Sequence, residues 1–362
     1  MCGTDTTTRD KSASRVLLSS FVAAALGVAG FHAGPVSAQP IVLEEIIVTA
    51  QKREQTLQDV PASVSAMNAE TVRDYLGSAE NIRALANRVP SLNIESSNGR
   101  TQPRLYMRGL GNIDFDNNAS QPVGMVFDEI FLEGNVLRSL PVFDIERVEV
   151  LAGPQGTLFG RNTNAGLVKI DSVRPSMDGG GYVGASFGER STLGTELAVN
   201  RQVSRNSAAR LSVKYQKRED WIDNVAADTS GDDFGEFDEF AWRLQFLTTP
   251  NDTFTGLFKF HGFHQEGSQP QVFYAGAIES GKEGLRSGFD ETRVAHDTDA
   301  GMDLDHIGFA ANLTWDFGDT TLTSITGWDE IENFQFTDVD GGLAEISPGV
   351  PCPIGDLGCQ GF

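Results

Sequence analysis

From residue 181 to 334 the chain alternates apolar and polar positions with a period of two, the pattern of strands that bury one face. Val183, Ala185 and Phe187 form one face of the first run, and Leu193, Leu197 and Val199 mark the second. In the third, Ala209, Leu211, Val213 and Tyr215 are interleaved with Arg210, Ser212, Lys214 and Gln216. Phe240, Trp242, Leu244 and Phe246 define the fourth, and Phe254, Phe258 and Phe260 the fifth. The sixth is the cleanest: Ile307, Phe309, Ala311, Leu313, Trp315 and Phe317 stand against Gly308, Asn312, Thr314 and Asp316. A seventh runs between Thr320 and Phe334. Alternation alone suits any half-buried strand. Length narrows it, because many of these runs reach the roughly 9–11 residues that a tilted membrane strand needs. The connections alternate as well. Gly188–Ser191, Val203–Asn206, Thr249–Asp252 and Gly318–Asp319 are short, whereas Arg218–Glu236, Gln265–Leu304 and the acid-rich tail after Phe334 are long. Short turns at one end and long loops at the other suit an outer-membrane barrel; if the first strand runs outward, every long connection faces the exterior.

Upstream of residue 181 the pattern is mixed. Val60 to Met67 reads as a strand after Pro61. Asn68 can cap a helix over Ala69 to Leu76 that Gly77 stops, and Ser78 a second over Ala79 to Arg88 that ends before Pro90. Strands follow near Leu92 to Glu95, Arg104 to Arg108, Val123 to Asp128 and Ile145 to Val150, which together make a small α+β unit over residues 55–175. Three polar segments punctuate it: Ser96 to Arg100, Asn112 to Asn118 and Glu133 to Val136. At the start of the chain, Arg9, Lys11 and Arg15 precede an apolar run from Val16 to Phe31. That run is short for a membrane helix of about 20 residues. Val36-Ser37-Ala38 then offers a small-x-small cleavage site, so residues 1–38 read as a secretory signal peptide. Leu43 to Ala50, LEEIIVTA, is rich in β-branched residues and has no partner strand nearby in sequence. A spare strand of that kind can add to a foreign sheet edge.

The most distinctive stretch is Asp144 to Ile170, DIERVEVLAGPQGTLFGRNTNAGLVKI. A strand with Ile145, Val148 and Val150 runs into Gly153-Pro154-Gln155-Gly156, which forces a turn. Its glycines do not make a phosphate loop: there is no GK[ST] ending and no G-x-G-x-x-G. The stretch resembles the end of the plug domain in TonB-dependent outer-membrane receptors, which carry IERVEVLRGPQ and then GRN before a Gly-rich strand. One departure is Ala152, where the family has arginine. The resemblance spans residues 42–334 and implies an α+β plug domain followed by an antiparallel transmembrane β-barrel. It divides the chain into a signal peptide (1–38), TonB box and linker (39–54), plug (55–175) and barrel (176–362).

The resemblance also implies roles. Glu45, Ile46, Ile47, Val48, Thr49 and Ala50 correspond to the TonB box, the contact for the TonB C-terminal domain. Arg100, Asp114, Phe115 and Asn117 lie in plug loops that touch ligand in the family, and Arg108 matches a plug arginine that pairs with barrel glutamates. The implied function is energised uptake of a scarce nutrient across the bacterial outer membrane, by default a small-molecule iron–siderophore complex. A signalling or ligand-binding barrel without uptake is the alternative. Signalling members carry an extra N-terminal domain, and here the box directly follows the signal peptide. Outer-membrane lipid is the other implied partner; no cofactor is implied.

Composition trims the remaining options. With 28 Lys and Arg against 50 Asp and Glu, the net charge of −22 argues against nucleic-acid binding. Twenty-three Phe against five Tyr suit a lipid-facing β surface. No Ser/His/Asp or Cys/His set is readable, so no enzyme is expected. His261 and His264 suggest a metal pair, but an offset of three puts them on opposite faces of a strand. Cys2 falls in the leader, which leaves Cys352 and Cys359 as an expected disulfide in an outer loop. Seven strands cannot enclose a plug of this size, because a plugged lumen goes with about 22 strands. The chain is therefore expected to be the N-terminal part of a longer receptor.

Overall fold

The computed structural model describes residues 47–337 apart from 50, 54, 77–80, 87, 97, 115, 117–118, 226–232, 269–271, 273, 275–276, 279–282 and 297–299. The expected leader, Glu45, Ile46, Ala50, Phe115, Asn117, Cys352 and Cys359 lie outside the described residues.

The first strand, β1 (Ile47–Val48), pairs antiparallel with β2 (Gln55–Thr56). Strand β3 (Ser63–Asn68) leads into helix α1 (Ala69–Leu76), whose start is capped where Asn68 Oδ1 accepts from the Thr71 N–H at 3.0 Å. The second expected helix is a single 3-10 turn, Ile82–Leu85. Asn81 Oδ1 accepts from the Arg83 N–H, and Ala86, at ψ 136°, leaves the helical region after one turn. Tertiary burial of Ile82 and Leu85 decides this segment, and one turn is enough to seat both. The hairpin β4 (Leu92–Glu95) and β5 (Arg104–Met107) follows, then β6 (Val123–Phe127), β7 (Ile130–Phe131), β8 (Ile145–Ala152), the helical turn α2 (Gly156–Phe159) and β9 (Gly166–Ser172). The plug sheet has the order β3-β8-β9-β6-β7, with β6 and β9 parallel and the other neighbours antiparallel. Strand β9 is buried along its whole length, as expected for a central strand covered on both faces.

Gly166 shows how tightly that centre is closed. A Cβ there would lie 2.1 Å from Met107 Sδ and 2.5 Å from the Leu151 carbonyl oxygen, which is backbone and cannot step aside. Gly166→Ala is expected to cost about 1–3 kcal/mol through overpacking. Hydrogen exchange should read this as faster exchange of the β8 and β9 amides. Unchanged protection would mean that the sheet can give there.

The wall begins with β10 (Gly180–Phe187), β11 (Leu193–Ser204) and β12 (Ser207–Arg218). After β13 (Asp223–Asn224) come β14 (Phe237–Asn251) and β15 (Phe254–Ser268); after β16 (Arg293–Val294) come β17 (Gly301–Asp316) and β18 (Thr321–Gln335). Strands β10, β11, β12, β14, β15, β17 and β18 form one antiparallel sheet in chain order, with β10 and β18 as its edges. The two-residue β13 and β16 pair parallel and tie the two long connections together around Ile222, Phe234 and Val294. The apolar face read from the sequence points away from the plug: Val183, Phe187 and Phe317 are 71%, 84% and 67% exposed. A soluble protein would not leave such a band in water, whereas lipid is its natural solvent.

Candidate functional site

The face of the wall that meets the plug is polar and charged. Register places Arg210, Gln245 and Lys259 in one row across neighbouring strands, and Ser212, Arg243, His261, Gly308 and Asp329 in the next. Arg210, Lys214, Arg243 and Lys259 are all buried against the plug, where an uncompensated charge would be costly. Each meets an acceptor on the plug. Arg210 donates to Asp144 from Nε and Nη2 at 2.7 and 2.5 Å, and Ser212 Oγ bonds the same carboxylate. The Asp144 N–H in turn donates to wall Glu196 at 3.0 Å. Lys214 Nζ donates to the Val142 carbonyl at 3.3 Å, and Arg243 donates to the Phe143 carbonyl at 3.2–3.3 Å. Lys259 Nζ sits 2.9 Å from Asp128 Oδ2. Burial pushes the Asp128 carboxyl up, but Lys259, Arg243 and the Ser172 N–H outweigh it and hold it well below the usual carboxylate range.

A second charged cluster lies inside the plug and holds the segment that resembles a TonB box. Glu149 stands opposite Lys169, and Arg147 opposite Asp171, across β8 and β9. Such cross-strand pairs of opposite charge stabilise a sheet. Lys169 Nζ is fully buried, 2.6 Å from Asp171 and 2.9 Å from Glu129. Burial pushes its ammonium down, yet Asp171 and Glu129 more than offset this, so its pKa lies above the ordinary lysine value. Thr49 docks onto this cluster. Its N–H donates to Glu149 Oε1 at 2.7 Å, and its Oγ accepts from Lys169 Nζ at 2.8 Å. Val48 is fully buried beside it, while Ile47 remains half exposed.

A cavity of about 830 Å³ opens between the plug and the β10–β11 turn. Arg83, Arg100, Arg190 and Arg218 line it, against Glu189 as the one carboxylate among its lining residues. Arg83 Nη1 donates to the Gly99 carbonyl at 2.9 Å, and the Arg190 guanidinium stacks 3.6 Å over the Trp221 ring. These contacts fix the planes of the two side chains, and the lining carries more guanidinium groups than carboxylates. The Gln216–Glu239 pair lies six residues along β12 and β14 from the Arg210–Gln245 row, roughly 20 Å at strand spacing.

The candidate residues fall at different places. Arg100 lies at the cavity, but its guanidinium forks onto wall Glu239 at 2.5 and 2.9 Å, reaches Gln216 at 3.2 Å and stacks over Phe237. It therefore makes a plug–wall glutamate contact of its own. Arg108 sits in an exposed turn with φ 52°, and among the described residues its side chain makes no ion pair. Asp114 is exposed in its loop, where its Oδ1 accepts from the Asp116 N–H. His261 and His264 do face opposite sides, but His261 meets His306 and Asp329 from the next two strands. Sequence reasoning missed that group, together with the Thr49 dock. Cross-strand register, not spacing along the chain, creates both.

Comparison with known proteins adds the family context. The TonB-dependent Receptor Plug Domain matches residues 56–167. The vitamin B12 transporter BtuB of Vibrio vulnificus is 24% identical over 181 residues, covering 49% of this chain and 28% of that protein. The catecholate siderophore receptor Fiu of Escherichia coli is 28% identical over 173 residues, 47% of this chain and 21% of that protein. The crystal structure of the ferric yersiniabactin uptake receptor FyuA from Yersinia pestis superposes with a TM-score of 0.64 at 19% identity, covering 76% of this chain and 41% of that one. The chain thus spans well under half the length of each of these relatives.

Proposed function

Residues 56–167 are a TonB-dependent receptor plug domain, continued by the opening strands of a receptor-type barrel, and on that premise we propose that the protein takes up an anionic nutrient complex. A ferric siderophore is the default ligand. The observation that carries this reading is the cavity lined by Arg83, Arg190 and Arg218 against Glu189, with Arg100 paired to Glu239. Guanidinium groups held by stacking and carbonyl contacts are pre-organised for carboxylate or catecholate oxygens. Siderophore receptors among the relatives support the same reading. Residues 45–50 act as the TonB box, which delivers the pull of the TonB C-terminal domain to the plug. The seven strands then form the first part of a larger closed barrel in the outer membrane.

Growth under iron restriction tests the class of ligand. A deletion strain offered a panel of ferric siderophores, haem and cobalamin should lose growth on a ferric siderophore, and the complete gene should restore it. Binding should also depend on the cavity. Replacing Arg83 and Arg190 together with serine is expected to weaken surface binding of that ligand by roughly tenfold or more per arginine, since a charge-assisted hydrogen bond contributes about 1.5–3 kcal/mol. Unchanged affinity would move the ligand site elsewhere in the barrel.

A further inference from the structure

The group around Asp329 has a geometry that neither uptake nor the plug contacts require. His261 of β15, His306 of β17 and Asp329 of β18 all face the plug. Asp329 Oδ1 lies 3.1 Å from His261 Nε2 and 3.0 Å from His306 Nε2, so two imidazoles converge on one carboxylate oxygen. His306 is buried and His261 partly so. Register explains the convergence. His261 and Asp329 both stand opposite residue 308, on either side of β17, and that residue is glycine. A Cβ on Gly308 would lie 2.4 Å from both Asp329 Oδ1 and His261 Nε2. The missing side chain creates the space in which the three groups meet.

We infer that His261, His306 and Asp329 form a binding site for a first-row transition-metal dication of the zinc class. Metal–ligand bonds of about 2.0–2.2 Å in a tetrahedron place neighbouring ligand atoms roughly 3.3 Å apart. The two Asp329–His separations are close to that edge, and all three ligand atoms lie within 4.8 Å of one another, so a closing movement of the imidazoles brings them onto one ion. Beside His261 and Asp329 is a void of about 20 Å³, also bordered by Ile130, Asp128, Arg243 and Lys259. That is room for one water molecule, which would complete four-coordination. The donor set decides the class of cation. A hard cation such as calcium needs six or more oxygens, and the three groups offer a single carboxylate. Two imidazoles and a carboxylate suit zinc, cobalt or nickel. The nearby cations do not take up the carboxylate: Lys259 is held by Asp128, and Arg243 by the Phe143 carbonyl. A bound ion would rivet β15, β17 and β18 next to the row where Gly327 receives the plug's Ile130; a Cβ at Gly327 would lie 2.6 Å from Ile130 Cδ1.

Cobalt(II) is the probe, because its visible absorption reports tetrahedral nitrogen and oxygen ligation directly. The complete receptor, purified in detergent and stripped with a chelator, should bind one Co²⁺ per chain with a tetrahedral spectrum, and Zn²⁺ should displace it. The double variant His261→Gln with His306→Gln should lose the spectrum, and its dissociation constant should rise at least about tenfold. Gly308→Ala keeps all three ligands but fills their meeting point, and should weaken binding similarly. His264→Gln removes the exposed His264–Asp303–Asp305 group on the other face and should leave the signal unchanged. Heat-modifiable migration on gels checks that each variant is folded. Absence of the tetrahedral spectrum in the wild-type receptor would overturn the inference, as would a spectrum lost in His264→Gln but kept in the double variant.

Discussion

Replacing Ile47 with proline is expected to abolish uptake while ligand binding at the cell surface stays at the wild-type level. The expectation rests on how the segment is held. Val48 is buried with Val60, Val126, Leu151 and Leu167, and Thr49 is fastened to Glu149 and Lys169. Ile47 is 50% exposed, so it is the first position of the pair that a partner can reach. A strand-adding partner binds through main-chain donors and acceptors. Proline removes a donor and resists pairing in a sheet interior. The substitution therefore strikes the exposed end of the segment, with its pairing to Thr56, and leaves the Val48 and Thr49 anchors in place. Accumulation of labelled ligand in energised cells, set against binding to the same cells at low temperature, separates the two steps. Uptake at the wild-type rate would remove the box assignment.

Asp144→Ala is expected to loosen the plug from the wall by about 3–5 kcal/mol, the cost of leaving one member of a buried ion pair behind. Arg210 loses both of its charged hydrogen bonds, Ser212 loses its acceptor, and both residues are buried. Asp144 also sits at φ 51°, a conformation that Asp tolerates better than Ala. That adds to the loss. The measurement is the urea concentration at which a protease first cuts the plug in the folded receptor. It should fall markedly in Asp144→Ala. The double variant Asp144→Ala with Arg210→Met, which removes the stranded charge, should recover part of the loss. Equal resistance in wild type and single variant would show that the plug seats without this pair.

The sequence announced the outward face and was silent about the inward one. Lipid demands an unbroken apolar band, so Phe240, Trp242, Leu244 and Phe246 could be read directly as a strand. Their neighbours Glu239, Arg243 and Gln245 are equally regular, but alternating polar residues are also what water would select. Only register shows that Arg243 stands beside Ser212 and His261 rather than in solvent. The same limit applied inside the plug. The run from Ile145 to Ala152 was legible as a strand, yet nothing along the chain shows that Lys169 of β9 stands opposite Glu149. The second helix failed for a different reason. A capping residue and a downstream proline bound a helix without fixing its length, and the buried pair Ile82 and Leu85 needs only one turn. Arg100 read as a loop residue because its partners, Gln216 and Glu239, are more than a hundred positions away.

The division of charge between plug and wall bears on whether the plug is a transferable part. The wall contributes four buried cations, and two of them, Lys214 and Arg243, are satisfied by the main-chain carbonyls of Val142 and Phe143. Any polypeptide following the same path supplies those two carbonyls, although Arg243 also lies in the field of Asp128 and Asp144. Arg210 and Lys259 are different, because they need the carboxylates of Asp144 and Asp128. A plug transplanted from a related fold onto this wall would therefore be accepted or refused chiefly at three positions: acids at 128 and 144 for the two wall cations, and a cation at 100 for the wall's Glu239. A foreign plug with all three would seat, however distant the rest of its sequence. A nearer relative lacking one would leave a buried charge stranded, so compatibility between plugs and walls follows a three-letter code more closely than it follows overall kinship.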